Sequence, residues 1–134
     1  MKQTLLLTLI AAVTTLHGRE IPVANPDSLK PALESAAPGD VIVLAKGFWT
    51  NTEIKVDRGG TAESPLEIRA ESPGETLLTG ASFLHINAPH VVVDGLYFTQ
   101  GCIDPEKFSV IHFKSAYGTV RNCAIVDYNP ASFD

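Results

Sequence analysis

The chain has 134 residues, 45% of them hydrophobic and 19% charged, which suits one globular domain and excludes a disordered tail. Its formal net charge is −5, so it lacks the basic footprint of a nucleic-acid binder. Ten glycines and nine prolines, set mostly between short apolar runs, favour many short strands over a helical bundle.

The first stretch, "MKQTLLLTLIAAVTTLHG", places one cation before an apolar run from Leu5 to Leu16. That run is too short to cross a bilayer, which takes about 20 residues. Residues 1–18 therefore read as a signal peptide, and the protein as exported to the periplasm or the medium. The competing reading, a buried first helix, finds no apolar continuation in "HGRE". Without 1–18 the chain keeps nine Lys plus Arg against fifteen Asp plus Glu and has no membrane span. An acidic partner would then have to be met by local basic groups or a metal ion.

Residues 19–40 read as an N-terminal cap. In "PDSLKPALESAAPGD", Asp27 or Ser28 can cap a helix whose first turn tolerates Pro31. Leu29, Ala32, Leu33 and Ala36 form one apolar stripe on it. "PGD" then turns the chain into a strand.

From residue 41 the chain repeats itself. "VIVLA" (41–45), "LEIRA" (66–70) and "VVVDG" (91–95) follow one another at 25-residue intervals. Each is followed by a second apolar run, "TEIKV", "TLLTG" or "LYFTQ", with "AIVDY" closing the series. Sliding "FLHINAPHVVVDGLYFTQ" by 27 residues onto "VIHFKSAYGTVRNCAIVD" matches residue types without a gap. Leu84 meets Ile111, His85 meets His112, Val93 meets Val120 and Phe98 meets Ile125. Gly95 meets Asn122, the two residue types that best tolerate a left-handed turn. Such a period belongs to stacked coils, each burying the apolar face its neighbour leaves open. Val43, Ile68, Val93 and Val120 are expected in one interior ladder, with Leu96 and Cys123 in the next. The fold class is all-β: a right-handed parallel β-helix with a short capping helix. Residues 41–134 would be its first coils. "DYNPASFD" offers no second cap, so the chain is expected to be the N-terminal part of a longer protein. Two cysteines, Cys102 and Cys123, leave one bridge and two free thiols equally open.

The connecting segments carry a resemblance. "AAPGDVIVLAKGFWTNTEI" and "GGTAESPLEIRAESPGETLLTGASFLHI" resemble the opening coils of polysaccharide lyase family 6, the alginate lyases and chondroitinase B type enzymes. "VVVDGLYFTQG" and "GTVRNCAIVDYNP" extend the likeness, so that it spans residues 27–130. The resemblance implies β-elimination on a uronic-acid polymer: a base takes the C5 proton and the bond to the C4 oxygen breaks. It also implies Ca²⁺ as the group that neutralises the uronate carboxylate. In the family a lysine is the base, an arginine assists the leaving group, and an asparagine and two glutamates hold the calcium. None of these has a counterpart in residues 1–134, so no catalytic residue and no metal ligand is assigned here.

Lys114 and Arg121 are the candidate substrate-binding residues, because they lie on the later coils and can hold polymer carboxylates at an outer subsite. A solvated solenoid face is the plainer reading of both, as it is of Lys46, Lys55, Arg58, Arg69 and Lys107. His85 and His112 stack at the repeat spacing and could line a groove or bind a metal, but a third ligand is missing. Asp104 and Glu106 share a loop without an oxygen-rich calcium pattern. Asp94 fits support of the turn at Gly95. Trp49 could stack on a sugar but also fits packing against "SLKPAL". Cys123 fits an apolar filler.

The reading is an alginate-cleaving lyase with an acidic polysaccharide as its partner and a monomeric state. Its alternatives are a dermatan or chondroitin sulfate lyase and, in another class, a non-catalytic glycan-binding or structural β-helix. A β-helix of pectate-lyase type is permitted by the coils but not by the connecting segments.

Overall fold

The computed structural model describes residues 18–103, 106 and 109–130. The expected signal peptide thus lies, apart from Gly18, outside the described residues, as do Asp104 and Lys107.

Strict alternation builds the strands. β2 (Val41–Leu44) buries Ile42 and Leu44 and turns Val41 and Val43 outward. β5 (Leu66–Ala70), β8 (Val91–Asp94) and β11 (Gly118–Arg121) stack beyond it, and β1 (Glu20–Val23) pairs on its other side. A second sheet stacks β3 (Gly47–Thr50), β6 (Thr76–Gly80), β9 (Leu96–Ile103) and β12 (Ala124–Pro130). A third holds β4 (Glu53–Val56), β7 (Phe83–Ile86) and β10 (Ile111–Phe113). Pairing is parallel in all three. The fold is a parallel β-helix. Hydrogen bonds run from coil to coil, and the apolar faces of the three sheets close on one core.

The 27-residue slide holds residue by residue. Leu84 pairs with Ile111, His85 with His112, Val93 with Val120 and Phe98 with Ile125. Gly95 and Asn122 both take positive φ, at 79° and 52°. Two earlier expectations shift. The interior ladder runs Ile42, Ile68, Val93 and Val120, because Ile42 rather than Val43 opposes Ile68. Val43 opposes Arg69 on the outer face. A one-residue slip reverses every side chain of a strand, and the first interval is 26 residues rather than 25. Likewise "GFWT", not "TEIKV", is the first-coil partner of "TLLTG"; "TEIKV" instead pairs with "FLHI" in the third sheet.

α1 (Pro26–Ser35) closes the start of the solenoid with Leu29, Ala32, Leu33 and Ala36 buried, as the stripe required. Its cap is Asn25 rather than Asp27 or Ser28: the Oδ1 of Asn25 accepts from the Ser28 N–H at 3.0 Å. Pro26 occupies the first turn, where a missing N–H costs nothing, and Pro31 sits inside the helix.

Asp40 ties the cap to the first strand. Its Oδ2 accepts from the Ala37 N–H and the Arg19 guanidinium, and its Oδ1 from the Arg19 N–H, each at 2.9 Å. The hydrogen bond from the Arg19 side chain holds the Asp40 carboxyl below the usual carboxylate range, against burial, which acts the other way. Because the folded-state value is depressed, the stability from this carboxylate is present in full above its unfolded value of about 3.9 and is lost as pH falls through the folded value. Below about pH 5, Tm should therefore fall more steeply for the native protein than for Asp40→Asn. Parallel acid limbs in thermal melts would remove Asp40 from that role.

Candidate functional site

The outer face of the first sheet carries a column of opposite charges. Arg69, Asp94 and Arg121 stand in register on β5, β8 and β11, at outward positions between the buried ones. Arg121 Nε donates to Asp94 Oδ2 at 2.7 Å, and its NH2 lies 3.7 Å from Glu67 Oε1. Asn122 Nδ2 donates to Asp94 Oδ1 at 3.0 Å, and Arg69 pairs with Glu20. The Asn122 amide and the Arg121 guanidinium hold the Asp94 carboxyl below its ordinary range. Asp94 thus supports the turn at Gly95 and Asn122, as its sequence position implied. Arg121 spends two of its nitrogens on protein carboxylates, yet a guanidinium carries five N–H donors and this one is exposed.

Lys114 follows β10, where its N–H donates to Ile86 O at 2.9 Å and its side chain is exposed. The two candidate substrate residues therefore belong to different sheets, one on each side of the corner at 115–117.

His85 and His112 stand in register on adjacent coils as expected, their rings edge-on with centroids 5.5 Å apart. The ring of Phe83 lies 4.5 Å from His85, and Lys55 Nζ lies 5.5 Å from the centre of Phe83. His112 Nδ1 is 3.3 Å from Ser109 Oγ. Among the described residues no group of three or more His, Cys, Asp or Glu is placed to hold a metal ion. Asp94 and Glu67 are engaged with Arg121, and the exposed Asp127 on β12 joins no such group, so the residues described do not fit a calcium site. Glu106 is exposed.

Trp49 is buried in the same core as Leu29 and Leu33, with Nε1 donating to Ala45 O at 3.0 Å. It is a packing residue. The exposed aromatic of that strand is its neighbour Phe48, at 68%. Phe48 heads an outward row with Leu77, Tyr97 and Ala124, a feature that only strand phase could have revealed. Both cysteines are free. Cys123 is half-buried beside the core, and burial pushes its thiol up, which suits a filler and not a nucleophile. A shallow cavity of about 390 Å³ on the cap is lined by Lys30, Glu34, Glu53, Lys55, Asp57 and Arg58. Two of its cations already face acids, Lys55 with Glu53 and Lys30 with Glu34.

With this geometry in hand, the chain compares with known proteins as follows. The family model described as chondroitinase B matches residues 23–134. A PL6-family polysaccharide lyase from Pseudopedobacter saltans is 36% identical, with a TM-score of 0.78 over 84% of this chain. The chain belongs to polysaccharide lyase family 6. Another member of family 6, the alginate lyase AlyGC, is 34% identical over 69% of the chain, with a TM-score of 0.63. A mannuronic acid specific family 6 lyase from human gut microbiota shares the fold at 24% identity and a TM-score of 0.62, over 80% of this chain and 26% of its own. The chain spans 26% of the Pseudopedobacter enzyme and 12% of AlyGC. Curated proteins yield no match. No helix among the described residues is long and apolar enough to cross a membrane.

Proposed function

We propose that the whole protein is a polysaccharide lyase that cleaves alginate by β-elimination, with this chain supplying its cap and first coils. The 36% identity to a family 6 lyase over 84% of the chain supports the reaction class. The preference for alginate over dermatan or chondroitin sulfate draws on the 34% identity to an alginate lyase. The base, the leaving-group arginine and the calcium ligands belong to sequence outside residues 1–134 in this proposal. Lys114 and Arg121 serve as outer-subsite cations, and export to the periplasm or medium brings the enzyme to its polymer.

The experiment is digestion of alginate, and of dermatan sulfate, by the full-length protein. The expected result is new ultraviolet absorbance from unsaturated ends on alginate, abolished by a chelator and restored by Ca²⁺. Absorbance on dermatan sulfate alone would transfer the protein to the alternative substrate. Absence of eliminative cleavage on every uronate polymer would replace the lyase with a glycan-binding or structural β-helix. Lys114→Gln and Arg121→Gln should each raise KM by up to about tenfold, equivalent to about 1.4 kcal/mol, with kcat little changed. An unchanged KM for both would return them to the solvated face.

A further inference from the structure

Asp40 is the one buried carboxylate among the described residues, 3% exposed. Its charged partner is the Arg19 guanidinium, but the Arg19 side chain is 67% exposed, so the formal positive charge stands mostly in water. Asp40 Oδ1 instead faces the Arg19 main-chain nitrogen at 2.9 Å. Immediately upstream, Gly18 is pressed on the turn before β2: a Cβ at Gly18 would fall 1.7 Å from Gly39 O. Only glycine fits there. A small residue after an apolar run is also what an export peptidase requires on the amino side of its cut, although Leu16 departs from the small residue wanted two positions earlier. The buried anion faces the nitrogen of Arg19, so a cut at this bond is the one that would set a free amine against it.

We propose that the Gly18–Arg19 bond is hydrolysed on export and that the α-ammonium so freed at Arg19 pairs with the buried Asp40 carboxylate, completing the cap. Water adds across the amide: the C–N bond breaks, the water oxygen goes to the Gly18 carboxylate, and both water hydrogens end on the Arg19 nitrogen as the α-ammonium. The catalyst is a peptidase of the export machinery, and no other reactant is needed. The nitrogen already stands at hydrogen-bond distance, so the cut converts an amide contact into a charge-assisted one without moving β1. Arg19 O already accepts the Val41 N–H at 2.8 Å, so the gain is passed directly to the first sheet. An α-amino group beside a carboxylate titrates above its ordinary 7.7–8.0. Its stabilisation is therefore full below that range and lost as pH rises through the elevated value.

The test has two arms and does not depend on the lyase reading. Intact mass and N-terminal sequencing of the exported full-length protein should show Arg19 as the first residue; any other start overturns the proposal. Full-length protein starting at Arg19 should melt a few degrees above the same protein with that amine acetylated, at neutral pH. The gap should close by about pH 10 and be absent in Asp40→Asn. A gap that is missing, insensitive to pH or retained in Asp40→Asn overturns the ion pair. If Asp40→Asn does not fold, the pH dependence of the gap in the native sequence decides alone.

Discussion

Phe98→Ala is expected to destabilise the solenoid by about 3–5 kcal/mol, the largest effect of any single truncation proposed here. Phe98 is fully buried, stands between Leu78 and Ile125 in register, and meets the Tyr128 ring edge-on at 6.0 Å. In a globular core, neighbours can move into the space that a lost ring leaves. Here each neighbour belongs to a coil whose backbone is hydrogen-bonded to the next, so the cavity stays open. Chemical denaturation of the full-length protein should show a lowered midpoint for Phe98→Ala. Phe48→Ala, at an exposed position one coil earlier in the sheet order than Leu77, should stay within about 0.5 kcal/mol. A loss below about 1 kcal/mol at Phe98 would mean that the coils can slide together after all.

Gly101→Ala is expected to cost about 1–3 kcal/mol through overpacking alone. A Cβ on Gly101 would lie 2.2 Å from Tyr128 Cε2 and 2.5 Å from Gly80 O. Gly101 opposes Gly80 on one side and Tyr128 on the other, because a register shift between Leu78 and Gly80 brings the two glycines level. The Tyr128 ring crosses the bare backbone of the third coil, and its hydroxyl donates to Gly80 O at 2.8 Å on the second, with Ser82 O also in reach. Burial holds the phenol above its ordinary range, so the hydroxyl remains a donor at neutral pH. Tyr128→Phe should cost less, about 0.5–1.5 kcal/mol, since it removes a hydrogen bond and keeps the ring. The double variant Gly101→Ala with Tyr128→Ala should lose less than the two singles together, as contacting residues do. Rescue will be partial, because Gly80 O remains in the way. Additive losses in the thermal melts would separate the ring from the glycine.

The amino-acid sequence by itself determined the architecture and the family. Stacked coils demand like residues at equal offsets, so Leu84 over Ile111, Val93 over Val120 and Gly95 over Asn122 could be read as a 27-residue repeat without coordinates. The helical stripe of Leu29, Ala32 and Leu33 was legible because a buried helix face repeats every three to four residues. The connecting segments carried the likeness to polysaccharide lyase family 6. Strand phase was not legible: in "VIVLA" every residue is apolar, so nothing local tells Ile42 from Val43, and only the pairing with Ile68 decides which faces the core. For the same reason nothing local marks Phe48 as the exposed ring of "GFWT", although alternation buries Trp49, which packs in the core with Leu29 and Leu33, and leaves Phe48 outside. Asp27 and Ser28 were the expected caps; the helix start, set by Pro26 in the first turn, gave the role to Asn25 instead. The charged contacts were furthest from view. Arg19 reaches Asp40 across 21 residues and Arg121 reaches Asp94 across 27, and a carboxylate carries no local mark of the cation it will meet. Only the closing of the coils brings them together, because side-chain pairing depends on which strands become neighbours and not on which residues are adjacent in the chain.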